Sequence, residues 1–226
     1  MLAPVKLLTR LLIISAPVLW FAHHYQRAIV EPMLPLAAAT LNAVDDAFTI
    51  LSLDIDNRDF NEVIRLRANL SEPVIVGGRK FYPLGWGDTP KGWYQVHLTA
   101  GGAIGYSVLA LIVVLAWPAS RWQEMLKRVI FCMPLMLLLF LANIAITFPA
   151  ELWKPMHDAW VPDITWPLLV ASRLLMGGGG LVLGLLCGAL SILVCRPVGK
   201  GDPPGIMHAP QKNSVVARDR FPAKDR

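Results

Sequence analysis

Charged residues are scarce in this chain, which is unusual for a water-soluble domain. Only 16% of its 226 residues are Asp, Glu, Lys or Arg, whereas 55% are hydrophobic. The mean hydropathy is +0.50. Soluble domains carry about 25% charged residues. Because the low charge coincides with long uncharged runs, the sequence predicts an integral membrane protein whose first partner is the lipid bilayer.

Cysteines and catalytic motifs are also few. Cys132, Cys187 and Cys195 fall in or beside apolar runs and have no Cys-x-x-Cys spacing, so we expect neither a disulfide nor a zinc or redox pair. The sequence contains no phosphate loop, dinucleotide fingerprint or nucleophile elbow, and we predict that the protein is not an enzyme. It also has no basic helix of the kind that binds nucleic acid, so no nucleic-acid partner is expected.

Four apolar stretches are predicted to cross the membrane. Residues 98–117, 129–148 and 174–195 each lack charge over about 20 residues, enough to cross a hydrocarbon core of about 30 Å as a helix. Residues 7–25 are less uniformly apolar and fit either a cleaved signal peptide or an uncleaved anchor, of which we favour the anchor. The predicted fold class is therefore an all-α transmembrane bundle of about four helices.

Basic residues in the short flanks predict the orientation of these spans. They precede the first span, fill the loop between the second and third, and recur after the fourth: Lys6, Arg10, Arg121, Lys127, Arg128, Arg196 and Lys200. Since Lys and Arg accumulate on the cytoplasmic side, both termini are predicted to be cytoplasmic. The expected location is the bacterial inner membrane, as a multi-pass protein.

A polar insert between the first and second spans has the alternation of a β-strand. Ile64, Leu66, Ala68 and Leu70 alternate with Arg65, Arg67 and Asn69. "FTILSLDI" predicts a strand before it, and "PVIVGGRKFYPL" a second, shorter hairpin. Asp54 and Asp56 resemble the start of a calcium loop, but Arg58 stands where the third ligand belongs, which favours a turn. The insert is predicted to be a small periplasmic β-sheet.

These features divide the chain into four regions. Residues 1–44 form the N-terminal helix with an interfacial extension, and residues 45–92 form the β-rich insert. Residues 93–196 form a three-helix transmembrane region. Residues 197–226, polar and rich in Pro and Gly, are predicted to be a disordered basic cytoplasmic tail.

Two features are predicted to mediate contacts with other helices or proteins. Glycines spaced four apart make smooth helix faces, on which backbones approach closely: Gly101 with Gly105, and Gly180 with Gly184 and Gly188. Spans two and four are expected to meet there, although the spacing leaves open whether the second strip serves a partner. Arg65 and Arg67, on the polar side of the predicted strand, are the expected partner surface.

Four histidines map to the outer end of the predicted bundle. His23, His24, His97 and His157 come from different segments, and imidazoles converging from separate helices can bind haem or a metal ion. A membrane redox or metal-binding protein is therefore the alternative hypothesis to a protein without a cofactor. A small-molecule carrier is a second alternative, although uncharged spans offer little to line a path.

The order of segments resembles a known group of membrane proteins. The residues that carry the likeness are the basic start "LTRLLIISAPVLWF", with Arg10, Pro17 and Trp20, and the loop "LAWPASRWQEMLKR". The layout is similar to that of small membrane proteins associated with exosortase systems, whose transpeptidase-like enzymes process proteins with a C-terminal sorting signal. The resemblance implies an accessory or assembly subunit, bound to another integral membrane protein, and assigns no site residue.

Overall fold

A computed structural model describes residues 3–58, 61–85, 87, 93–119, 121–160 and 166–195. Most of the described chain is helical, and a small antiparallel sheet lies between the N-terminal helices and the later ones. The predicted basic tail, residues 197–226, lies outside the described residues, as do residues 88–92 of the predicted insert.

The N-terminal region is a series of helices. Helix α1 spans Ala3–His24, α2 spans Gln26–Val30, and a 3₁₀ turn at Glu31–Met33 leads into α3, Leu34–Val44. Prolines fall at the starts of the last two elements, where a missing N–H leaves no helical bond unmade. Helix α3 then turns one apolar face, with Leu34, Ala37 and Leu41, toward the core beneath the sheet.

The insert folds largely as its alternation predicts. Strand β1 is Phe48–Arg58, β2 is Asn61–Leu70, and the two are antiparallel with a bulge between Ile50 and Ser52. A second hairpin joins β3, Val74–Val76, to β4, Arg79–Phe81. Its turn residues Gly77 and Gly78 have φ of 57° and 77°, as a tight hairpin turn requires. The prediction of a small antiparallel sheet is confirmed.

A further strand, β5, was not predicted. Tyr94–Thr99 pairs with β2, giving a sheet in the order β1-β2-β5. Leu98 and Thr99, assigned from the sequence to the second span, belong to this strand. The alternation of Tyr94, Val96 and Leu98 is the signal for it, but the strand runs into a helix without a linker, which hides the boundary. Thr99 caps that helix by accepting a hydrogen bond from the Gly102 N–H at 3.3 Å.

The helices that follow the sheet include two segments long enough to cross a membrane, and the third such segment lies in α1. Helix α4 is Ala100–Ala116 and α5 is Trp122–Trp160. Helix α6, Pro167–Leu174, continues through a π-type turn at Leu175–Gly179 into α7, Gly180–Val194. Among the described residues, the segments long and apolar enough to cross are Val5–His24, Trp122–Ala159 and Pro167–Val194.

The predicted count of four spans is therefore higher than the number of helices that meet this length. Helix α4 has 17 residues, about 26 Å at 1.5 Å per residue, because the sheet takes the first residues of the predicted span.

Helix α5 is longer than the predicted span. That span ended at residue 148, yet the helix runs on through Pro149 and Pro155 to Trp160. Tertiary contacts explain the difference. The Trp153 indole N–H donates to Asp45 Oδ2 at 2.7 Å, and its ring meets Phe48 of β1 edge-on at 5.1 Å. Leu152 and Met156 of this extension belong to the core beneath the sheet, and burial of these side chains outweighs the cost of the prolines.

Side-chain contacts fix the directions of the helices. Asn143 of α5 donates to the Ala103 carbonyl near the start of α4 at 3.2 Å, and farther along Ser107 donates to the Met136 carbonyl at 2.8 Å. Helix α5 is therefore antiparallel to α4. Helix α7 is parallel to α4, since Gly180 lies against Tyr106 and Gly188 against Val113. The sheet, the start of α4 and the end of α5 thus share one end of the helices, here called the sheet end.

Candidate functional site: the polar face of the sheet

One face of the sheet is apolar and closed, and the other is polar. Ile64, Leu66 and Ala68 of β2 are at most 1% exposed on the closed face. The opposite face carries paired polar side chains across β1, β2 and β5, in two rows: Asp54, Arg65 and His97, then Ser52, Arg67 and Gln95. We call these six residues the polar face. The exclusion of water from the closed face fixes the register, because a one-residue slip would bury the polar rows.

Arg65 is held by carboxylates of its own sheet. Its Nε donates to Asp54 Oδ1 at 2.9 Å, and its Nη1 donates to Asp56 Oδ2 at 2.6 Å. The hydrogen bond to Asp54 raises the pKa of the Arg65 guanidinium, partly offset by burial and reinforced by the negative charges of both carboxylates. Arg65 therefore ties β2 to β1, since both of its carboxylate partners belong to β1.

Arg67 has a different environment. Its guanidinium carbon lies 5.0 Å from the centroid of the Trp93 ring, a cation–π distance. The Arg67 Nε is buried and has no hydrogen-bond partner among the described residues. The Trp93 Nε1 donates to Gln95 Oε1 at 3.3 Å, which orients the ring. Of the two arginines that alternation places on this face, Arg67 is the one with a buried donor that has no partner in the described chain.

Two more polar atoms of this face are buried without a partner in the described chain. His97 Nε2 lies 2.7 Å from Gln95 Nε2, but its Nδ1 has no hydrogen bond, and neither does the Ser52 Oγ. A buried polar group without a partner costs about 1–3 kcal/mol. A guanidinium, an imidazole and a hydroxyl can all donate to carbonyl or carboxylate oxygens. All three atoms are almost inaccessible to solvent, so another molecule can bond to them only if neighbouring side chains move.

The glycine strip of α7 contacts α4 of the same chain. A Cβ on Gly184 would lie 2.5 Å from the Tyr106 carbonyl oxygen, and one on Gly188 would lie 2.8 Å from the Val113 Cβ. A Cβ on Gly180 would overlap the Tyr106 ring, whose hydroxyl donates to the Leu175 carbonyl at 2.9 Å. These three glycines are thus used for packing within the chain.

Gly101 and Gly105 lie on another face of α4. They line a groove of about 110 Å³ beside α1, together with His23. A Cβ on Gly105 would have no atom within 4 Å, and one on Gly101 would lie 3.4 Å from Gln26 Oε1. The two strips therefore do not meet each other. Helix α4 presents Tyr106, Ala110 and Val113 to α7 instead.

The four histidines make separate contacts. His24 stacks on Trp20 with a centroid distance of 5.3 Å, and His157 stacks on Trp166 at 6.5 Å. His23 faces the small groove beside α1, and His97 belongs to the polar face. Within the described ranges, no group of three or more His, Cys, Asp or Glu side chains is placed to hold a metal ion.

The sequence predicted the arginines of this face but not the residues that complete it. Trp93, Gln95 and Ser52 were not assigned to this face, because β5 was not predicted and the bulge in β1 changes which side chains are level with β2. The alternation in "YQVHLT" would have placed Gln95 beside His97.

Comparisons with protein-family models, with curated proteins and with solved structures found no match.

Proposed function

We propose that this protein is a non-enzymatic accessory or assembly subunit of a bacterial inner-membrane system for protein sorting or processing. The observation that supports this most directly is in the polar face, where the Arg67 guanidinium lies against the Trp93 ring, which is 51% exposed. Trp and Arg are enriched among the residues that contribute most to binding at protein interfaces. The resemblance to proteins associated with exosortase systems suggests the kind of process.

The rigid attachment of the sheet to the helices also supports an assembly role. Strand β5 continues into α4 with Thr99 as the helix cap, and Trp153 of α5 is bonded to Asp45 at the start of the insert. A surface held in this way has a fixed height and angle relative to the helices. Binding then loses less conformational entropy than it would on a flexible arm.

In this proposal α1, α4, α5 and the α6–α7 segment cross the inner membrane, with the sheet end in the periplasm. Helix α4, at 17 residues, spans most of the hydrocarbon thickness while Thr99 lies at the boundary. At the opposite end Arg121 and Lys127 are exposed, as expected of cytoplasmic flanks. Arg128 is buried there and paired with Glu124, which neutralises its charge.

The orientation is tested with reporter fusions. Alkaline phosphatase inserted between Gly77 and Gly78 is expected to be active, and green fluorescent protein fused after Arg226 is expected to fluoresce. The reverse pattern would place the insert in the cytoplasm and would remove the periplasmic part of the proposal.

The assembly role is tested by purifying the tagged full-length chain from its native host in mild detergent. A membrane protein partner at near-stoichiometric amount is the expected result. The matched variants are Arg67→Glu, which reverses charge at the unsatisfied donor, and Lys80→Glu, which reverses an exposed charge on β4. The partner is expected to be lost with Arg67→Glu and kept with Lys80→Glu. A chain that purifies alone, without a partner, would refute the assembly role.

A further inference from the structure

A groove runs along the free edge of β1, between that strand and α3. It has a volume of about 410 Å³ and is lined on one side by Leu34, Ala38 and Asn42 of α3, and on the other by Ile50–Leu53. Neighbouring side chains of a strand point to opposite faces. Four consecutive residues therefore line one groove only if it follows the backbone edge of the strand. We call it the edge groove.

The backbone of β1 has unused hydrogen-bonding groups on this side. Within the described chain, β1 pairs only with β2. The Ser71 N–H donates to the Ala47 carbonyl at 2.8 Å, so Ala47 directs its polar groups toward β2. By the alternation of an antiparallel ladder, Ile50 directs its N–H and C=O away from β2, toward the groove. Across the bulge between Ile50 and Ser52 the alternation shifts by one residue, so Leu53 is the next residue that directs its N–H and C=O toward the groove.

We propose that the edge groove binds an extended segment of a partner protein, which adds to the sheet as a strand beside β1. This inference rests on the proposed assembly role and specifies how the partner is bound. An edge strand flanked by a helix offers backbone hydrogen bonds on one side and apolar contacts on the other, the arrangement used in strand-addition recognition. The stretch Ile50–Leu53 matches a bound segment of about four residues, about 13 Å long.

The chemistry of the groove specifies the segment. Leu34 and Ala38 offer apolar contacts, and Asn42 offers a neutral hydrogen-bonding side chain. Glu31 is the one charged side chain among the residues lining the groove, and it lies 3.7 Å from Arg27. The segment that fits is therefore extended and uncharged, with small or apolar residues facing α3.

The test uses the full-length chain and the partner that copurifies with it in mild detergent. Ala38→Phe fills the groove from the α3 side without touching the ladder between β1 and β2. Ala39→Phe places the same ring on an exposed position of the same helix, outside the groove. Ala38→Phe is expected to lower the partner recovered per tagged chain by about tenfold or more, the effect of losing one or two net backbone hydrogen bonds. Ala39→Phe is expected to leave recovery unchanged.

Two further measurements identify the mode of binding. A photo-reactive benzoylphenylalanine in place of Leu51, which is 54% exposed, is expected to cross-link to an uncharged, extended segment of the partner. Amide hydrogens of residues 48–53 are expected to exchange more slowly in the complex than in the isolated chain. If Ala38→Phe lowers the thermal midpoint, Leu51→Lys replaces it, since a charge on the edge opposes strand addition.

The outcomes separate this inference from the assembly role on which it rests. If a partner is recovered with the unmodified chain and is kept by the groove-filling variant, strand addition is refuted and the assembly role stands. A cross-link to a helical segment of the partner, or to a second copy of this chain, also refutes it. If no partner is recovered with the unmodified chain, both proposals fall.

Discussion

The close contact between α7 and α4 predicts that adding a single methyl group at Gly184 destabilises the protein. Gly184 lies so close to α4 that a Cβ there would be 2.5 Å from the Tyr106 carbonyl oxygen, whereas ordinary contacts begin near 3.4 Å. The obstacle is backbone and cannot rotate away. In Gly184→Ala the two helices must therefore separate locally by about 0.9 Å, the difference between these two distances, or bend.

The change in the free energy of unfolding of Gly184→Ala is the sum of two opposing effects. Overpacking a closely packed site typically costs about 1–3 kcal/mol, while replacing Gly by Ala within a helix gains about 1 kcal/mol. The net expectation is a destabilisation of up to about 2 kcal/mol. For a chain of this size each kcal/mol lowers the thermal midpoint by about 2–4 °C. A midpoint lower by up to about 8 °C is thus expected, measured by thermal unfolding of the purified protein in detergent.

Gly105→Ala is the matched control, because it makes the same change on α4. A Cβ at Gly105 would have no atom within 4 Å, so only the gain in helix preference remains, and its midpoint is expected to equal or exceed that of the unmodified chain. If Gly184→Ala were as stable as Gly105→Ala, then α7 would not pack on α4 through Gly184, and the arrangement of these helices would be wrong.

Three further predictions concern the insert. Trp153→Phe removes the hydrogen bond to Asp45 and is expected to cost about 1–3 kcal/mol in thermal unfolding; an unchanged midpoint would show that this contact does not hold the insert. Arg65→Gln should lower the midpoint because it breaks both ion pairs. Arg67→Gln should lower the midpoint less, because it loses only the contact with the Trp93 ring, but should reduce partner recovery; equal behaviour of the two variants would contradict their different roles. Burial raises the pKa of Tyr94 above its ordinary value of 10.0, so the folded chain holds the phenolic proton more tightly than the unfolded chain. The stabilisation from this proton should be fully present below about pH 10 and be lost as pH rises from there through the folded pKa, and Tyr94→Phe should lack this loss.

The parts of the fold that could be predicted are those in which one physical requirement dominates. Uncharged runs of about 20 residues must be helical in a membrane, and the alternation from Ile64 to Leu70 permits only one strand register with a closed apolar face. Gly77 and Gly78 marked their turn because both adopt positive φ. In each case the local sequence and the tertiary environment favour the same structure.

The parts that could not be predicted depend on contacts between distant segments. The predicted span ended at residue 148, but α5 continues because Trp153 is held by Asp45 and Phe48, more than 100 residues earlier in sequence. The end of β5 was hidden because its apolar residues merge with those of α4. The different environments of Arg65 and Arg67 depend on which β1 residue lies opposite each one, and the bulge sets that pairing.

The direct connection of β5 to α4 limits where a partner can present its segment. Ile50 of the edge groove is paired with Ala68, which is paired with Tyr94, and Tyr94 precedes the helix cap Thr99 by five residues. At about 3.4 Å per residue, the groove lies within about 17 Å of the start of α4, measured along the strand. Because the sheet cannot swing away from α4, the bound segment must lie close to the membrane surface in the proposed orientation. A partner whose extended segment directly adjoins its own transmembrane helix meets this requirement, and a soluble domain on a long linker would gain nothing from the rigid attachment.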